Sequence, residues 1–175
     1  MQLAKRTEET LSRFSRNVIR QSKSNLTRLG KKSSGGLYSS LKHKLKVSPR
    51  SFELDFYMAD YGKFQDKGVK GFRSSKKAPK SPYRFGTGTG EKGGLTKNIL
   101  AWVTKKRFQF RDKKTGRFLS YKQTANRITR SIYLTGIPTT NFFSKPFEDN
   151  FKKLPNEIVQ AYMLDMESFF DFTTE

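Results

Sequence analysis

The chain has no cysteine and a single histidine, His43, among its 175 residues. Without thiols it can form neither a disulfide framework nor a thiolate zinc site, and a reducing compartment suits it. A Ser/His/Asp triad would have to use His43, which stands between Lys42 and Lys44 and reads as a surface residue; no Gly-x-Ser-x-Gly elbow is present. Long apolar runs are also missing. No stretch approaches the ~18 residues of a membrane span, and Met1 to Arg20 holds no run of signal-peptide length, so a soluble, unexported chain without a membrane partner is expected. Acids are scarce, with 15 Asp and Glu against 36 Lys and Arg and a net charge of +21.

That charge gives a field able to hold polyanions or acidic protein surfaces. It is unevenly spread: +11 over residues 1–50, +11 over 51–118 and −1 over 119–175, with seven acids and only Lys152 and Lys153 from Phe147 onward. A basic front and an acidic rear would let copies attract head to tail, as a heterologous ring requires; simple solvation of both ends explains the pattern as well. Apolar residues are few, at 34%, but 16 Phe, 7 Tyr and one Trp let a small core bury enough area to hold one domain together.

The spacing of Leu3, Leu11, Phe14, Val18, Leu26 and Leu29, with Arg13, Arg16 and Arg20 around them, predicts a long basic helix ended by Gly30 and the flexible run Lys31 to Gly36. It reads as an arm over residues 1–36 that lies on a neighbour or on DNA, with an ordinary surface helix as the alternative. Leu37 to Leu41 predicts a short helix. Leu45 and Val47, a turn at Ser48-Pro49-Arg50, and the alternation of Phe52, Leu54, Phe56 and Met58 predict a hairpin. Lys70 to Gly94 is loop chemistry, rich in Gly and Lys. A short helix around Trp102, a second hairpin from Phe108 to Phe118, and a helix opened by a Ser120/Gln123 capping box and stopped by Gly136 follow. Ser144 and Pro146 suit a helix start, Pro155 a break, and a last helix from Asn156 presents Val159, Tyr162, Met163, Met166 and Phe170 on one side. The expected architecture is α+β: a small antiparallel sheet flanked by helices, with the arm, a 37–154 core carrying the basic loop 70–94, and a C-terminal packing helix over 155–175, all one domain.

Sites of reaction chemistry are few. Glu53 and Asp55 share a strand face, and Asp60 and Lys63 follow, which is the makings of a metal-dependent nuclease but also of any solvated strand. Gly86 to Gly94 lacks the order of a phosphate-binding loop and is not preceded by an apolar strand. Arg73, Lys76, Lys77, Lys80 and Arg84 lie among Phe72, Tyr83 and Phe85, a mixture that grips phosphates and bases or serves as a peptide arm. No catalytic residue, metal or cofactor is expected.

Tyr61, Gly62, Phe64, Asp66 and Gly68, directly after the strand ending near Met58, resemble the signature of the tail-completion and head-tail joining proteins of tailed bacteriophages. Phe143, Pro146 and Phe147 resemble that family's aromatic-Pro-Phe lead into its C-terminal helix, and the order of elements from residue 10 to 170 agrees. The wording of residues 64–71 and 111–118 is most similar to versions in crAss-like phages. Val69 departs from the usual threonine, and the insert Lys70 to Gly94 enlarges the following loop. The resemblance implies a virion protein made in the host cytoplasm. It would be one copy of a neck ring whose partners are its own copies, portal or adaptor and tail proteins, and packaged DNA, with no small-molecule substrate. A free nucleoid or ribosomal nucleic-acid-binding protein is the alternative. Arg13, Arg16, Arg20, Arg73, Lys76, Lys77, Lys80 and Arg84 are the expected partner or DNA contacts. Deleting Lys70 to Gly94 is expected to leave the core folded while preventing particle completion.

Overall fold

A computed structural model describes residues 4–31, 35–48, 51–87 and 94–174, the side chains of 170–174 excepted. Parts of three expected features therefore lie outside the described residues: the first residues of the arm with the run after Gly30, the Pro49-Arg50 turn, and residues 88–93 of the glycine-rich loop. The fold is α+β, as expected, but the chain forms two compact units rather than one. The first is Met1–Gly62 with Asn141–Glu175, and the second is Lys63–Thr140.

In the first unit, α1 (Lys5–Arg28) is not a peripheral arm. Leu11, Phe14, Val18, Ile19 and Leu26 are buried, and so are Thr7, Thr10, Ser15 and Ser22, which widen the thin apolar stripe into a full packing face. Three of these small polar side chains tolerate burial because their hydroxyls find acceptors nearby. Ser22 Oγ donates to Val18 O at 2.7 Å, Ser15 Oγ to Ser12 O at 2.9 Å, and Thr7 Oγ1 to Asp165 Oδ2 at 2.9 Å. The short helix α2 (Gly36–Ser40) precedes the predicted hairpin, β1 (Lys42–Ser48) and β2 (Ser51–Tyr57), paired antiparallel with Leu45 opposite Leu54 and Val47 opposite Phe52. Its partly buried face packs on α1: Leu45, Phe52, Leu54 and Phe56 join Leu11, Phe14 and Val18. On the other face Lys46 Nζ meets Glu53 Oε2 at 3.0 Å and Asp55 Oδ2 at 3.5 Å, so two of the three carboxylates weighed for metal chemistry are ion-paired across the strands.

Two helices complete this unit. After α6 (Ser144–Phe151), Lys152 and Lys153 form a turn, and α7 (Leu154–Thr174) lies along α1. The face of α7 that packs is Leu154, Ile158, Ala161 and Asp165; of the expected side, Val159, Tyr162 and Met163 are exposed and Met166 is half-buried, while the side chain of Phe170 lies outside those described. Asp165 accounts for the rotation. Its carboxylate accepts from Arg6 N at 3.1 Å and Thr7 N at 3.0 Å as well as from the Thr7 hydroxyl, satisfying free amides at the start of α1. Arg6 answers from α1, its guanidinium donating to Leu164 O at 2.6 Å and to Ser168 Oγ at 3.0 Å.

In the second unit, α5 (Tyr121–Thr135) opens on the predicted capping box, with Gln123 N donating to Ser120 Oγ at 3.2 Å and Ser120 N to Gln123 Oε1 at 3.0 Å. It packs against α4 (Gly94–Lys105), burying Val103, Thr124 and Ala125. The expected second hairpin is reduced to one bridge, Arg111 with Phe118. Asp112 closes its turn by accepting from Lys114 N and Thr115 N at 3.0 Å each. On the approach Phe110 N turns to Thr124 Oγ1 of α5 at 3.3 Å, so no ladder continues.

The basic loop holds no helix or strand over residues 71–87, as expected, but it is not a free arm. Residues 70–87 are a packed part of this unit. After α3 (Gly62–Lys67), the two-residue strands β3 (Val69–Lys70) and β4 (Gly136–Ile137) pair antiparallel, and Lys70 also bridges Arg84. Backbone bonds then stitch the segment down: Lys70 N to Tyr83 O at 2.8 Å, Phe72 N to Tyr133 O at 2.8 Å and Thr139 N to Lys77 O at 3.1 Å. Ser81 Oγ donates to Gly68 O at 2.7 Å, with Ser81 and Ala78 buried. A loop rich in Lys and Gly needs little apolar area when its backbone groups are satisfied this way.

Candidate interaction sites

The residues that carry the family resemblance are mostly keystones of the fold. A side chain at Gly62 would strike Met58 Sδ at 2.7 Å and Leu37 Cδ1 at 2.8 Å. Gly68 combines a φ of +72° with backbone crowding, since a Cβ there would meet Ile137 O and Thr139 N at 2.7 Å each; only glycine satisfies both demands. Phe64 packs edge-on against Tyr83, ring centres 4.6 Å apart, and Asp66 is buried. Tyr61 is exposed.

Phe143, Pro146 and Phe147 belong to the core of the first unit. Phe56 meets Phe143 at 5.6 Å and Phe147 at 5.8 Å in edge-to-face geometry, and Phe14 meets Phe147 at 5.8 Å. Each such contact adds about 0.5–1.5 kcal/mol beyond the area it buries. Most of these motif residues account for why the chain folds; Tyr61 and Phe64 alone are exposed.

The eight expected contact residues fall in two places. Arg13, Arg16 and Arg20 lie on α1; Arg13 pairs with Glu157 Oε2 at 3.4 Å in an exposed geometry worth little. Arg73, Lys76, Lys77, Lys80 and Arg84 are exposed in the second unit. Lys77 Nζ donates to Thr135 Oγ1 at 2.8 Å and Arg84 to Phe72 O at 3.1 Å, while no ion pair among the described residues engages any of the five. The units differ sharply in charge. Residues 63–140 carry 20 Lys and Arg against three Asp and Glu, whereas the rest of the chain carries 16 against 12. Exposed rings accompany the positive charge, with Arg111 over Phe118 at 4.7 Å and Trp102, Phe108 and Phe110 in a chain of contacts.

Two sites escaped the sequence. One is the outer side of α7, where Val159, Tyr162 and Met163 at positions i, i+3 and i+4 are 57, 54 and 64% exposed. Helical spacing revealed this stripe, but not which side of the helix would be covered. The other is an open cavity of about 420 Å³ beside α1, lined by Arg16, Arg20 and Lys23 together with Ile19, Ser24 and Thr27 of the same helix and with Tyr38 and His43. Lys23 Nζ sits 5.1 Å over the Tyr38 ring. Burial, and then the Arg16 guanidinium, hold the His43 imidazole below its ordinary pKa of 6.5; its Nδ1 is buried without a hydrogen-bond partner. The basic helix was legible, but the strand that closes the cavity with His43 comes from 20 or so residues further along, beyond any local pattern.

Among the described residues no group of three or more His, Asp and Glu is placed to hold a metal ion, and no helix is long and apolar enough to cross a membrane. No protein-family model, curated protein or solved structure matches the chain.

Proposed function

We propose that the chain is a structural protein of a tailed-phage particle, one copy of a ring in the neck where the DNA-filled head meets the tail. The observation that carries this reading is the uncovered apolar side of α7, set in a segment with an acidic excess, in a chain whose residues 63–140 are overwhelmingly basic. One copy's C-terminal helix and another copy's basic unit are complementary in sign, which favours head-to-tail association of identical chains. Tyr162 and Met163 supply the amphipathic, adaptable contact area typical of the middle of such interfaces. The resemblance to head-tail joining proteins adds the particle, the portal or adaptor and tail proteins as neighbours, and packaged DNA as the polyanion in reach. Catalysis and cofactors have no part in this reading.

The test combines location with assembly. Labelling with an antibody against the purified chain should mark the head-tail joint of DNA-filled particles, and Tyr162→Glu with Met163→Glu should give a folded chain that no longer enters them. Normal tailed particles built from that variant would overturn the proposal. The second reading, a free nucleic-acid-binding protein, is favoured by the charge of residues 63–140. Tight binding to bare duplex with a steep salt slope, and no co-purification with particles, would select it.

A further inference from the structure

Arg16, Arg20 and Lys23 occupy one side of α1 at spacings of four and three residues, so their charges face the same space. None is ion-paired with a carboxylate among the described residues. Arg20 donates to Asn17 Oδ1 at 3.1 Å and Lys23 rests over the Tyr38 ring, contacts that orient the two cations without neutralising them. Three like charges held around one concavity repel each other, and the arrangement is relieved when an anion seats among them.

We propose that this cavity, bounded by α1, α2 and β1, is a binding site for a phosphate group. Arg16, Arg20 and Lys23 neutralise its charge, and Ser24, Tyr38 and His43 line the same space. A carboxylate fits less well. It brings one negative charge on two coplanar oxygens, whereas every phosphate places its oxygens tetrahedrally, and a free ion or monoester brings up to two charges, so that two guanidinium forks and an ammonium can be engaged from different sides. A cavity of about 420 Å³ also leaves room for what the phosphate is attached to, so the group can be a free ion, a nucleotide or a backbone phosphodiester. The inference does not depend on the neck reading, because the site lies wholly in the first unit and uses none of the basic residues of the second.

His43 makes the site directly observable, since it is the only imidazole in the chain. The charged and titratable groups that line the cavity with it are Arg16, Arg20 and Lys23 of α1 and Tyr38 of α2. An anion placed among them opposes the effect of Arg16 and raises the imidazole's pKa.

The experiment is proton NMR of the His43 ring in the full chain, titrated with inorganic phosphate, with sodium acetate, with a short DNA duplex, and with sodium chloride at matched ionic strength. Phosphate should move the His43 resonances and raise their titration midpoint, with acetate and chloride far weaker. Arg16→Gln with Arg20→Gln, both exposed positions, should weaken the phosphate effect by roughly tenfold or more while leaving the circular dichroism melt unchanged. If the duplex produces the same shift and the double variant abolishes it, the phosphate belongs to a nucleic-acid backbone; a shift with inorganic phosphate but not with duplex assigns a free phosphate or nucleotide. Equal responses to phosphate, acetate and chloride, or a phosphate response that survives the double variant, overturn the proposal.

Discussion

Asp165→Ala, at a buried position of α7, should destabilise the first unit more than any single change at the exposed positions of that helix. The wild-type carboxylate is 6% exposed and accepts three hydrogen bonds from the first turn of α1, at 3.1, 3.0 and 2.9 Å. Bonds to a charged group are worth about 1.5–3 kcal/mol each when broken singly. Loss of an N-cap side chain costs ~0.5–2 kcal/mol, because water and backbone adjustment recover part of the loss. Here the acceptor is buried and serves two amides and a hydroxyl, so the upper part of these ranges applies and the expected loss is about 3 kcal/mol. For a chain of this size that corresponds to a fall in melting temperature of roughly 6–12 °C.

Asp165→Asn keeps the shape and one acceptor but loses the charge at the helix N-terminus, and should lie about midway. The control is Glu157→Gln, which breaks only the exposed pair with Arg13 and should change stability by less than ~0.5 kcal/mol. Thermal melts followed by circular dichroism, with amide exchange at Arg6 and Thr7 as the local readout, measure all three. Should Asp165→Ala melt within about a degree of Glu157→Gln, the carboxylate is not holding α1 and α7 together and the assignment of the packed face of α7 fails.

Three further outcomes follow from the same geometry. Gly136→Ala, where φ is +86° and a Cβ would stand 2.3 Å from Val69 O, should break the β3–β4 pairing at a cost above ~3 kcal/mol, whereas Gly116→Ala, with φ of +67° and no neighbour within 4 Å, should cost only ~1–2 kcal/mol in chemical denaturation. Because folding lowers the pKa of His43 from 6.5, its contribution to stability should be complete above that value and lost as pH falls through the lowered folded value; His43→Gln should flatten this limb of the stability curve, measured by denaturant midpoints across the acidic range. Contrary to the expectation from sequence that the basic loop can be removed from a folded core, deleting residues 70–87 should unfold the second unit, read by loss of amide protection in α5, since Ala78, Ser81 and the Lys70–Arg84 bridge are part of its packing.

Patterns confined to one element were legible in the sequence. The β1–β2 hairpin follows from period-two alternation, and the start and stop of α5 follow from Ser120, Gln123 and Gly136, because each depends on groups a few residues apart. What failed depended on long-range placement. The stripe on α1 looked thin because Thr7, Thr10, Ser15 and Ser22 are polar by type, and acceptors supplied by the helix backbone and by Asp165 make the burial of Thr7, Ser15 and Ser22 inexpensive. For α7, periodicity found an apolar side at Val159, Tyr162 and Met163, but a buried aspartate bonded to the start of α1 turned that side outward. The segment 70–87 read as loop because its order rests on backbone hydrogen bonds and the small residues Ala78 and Ser81, which carry no hydrophobic signature. The cavity beside α1 was half legible: the basic helix stood out, while the contribution of His43 required the strand register.

The separation of charge between the units constrains how the chain can be used. Twenty cations against three acids in residues 63–140 repel one another within that unit, and such repulsion opposes compactness at low ionic strength. The unit nevertheless has few buried apolar side chains and relies on backbone bonds and glycine contacts. Anything that supplies negative charge along that surface therefore strengthens its fold as well as its binding, since a ligand that prefers the folded state adds to stability by mass action. The first unit is nearly balanced in charge and carries the aromatic core, so the same ligand has far less to offer it outside the one cationic cavity. The polyanion or acidic neighbour of the proposed reading would therefore act chiefly on the basic unit and little on the aromatic one.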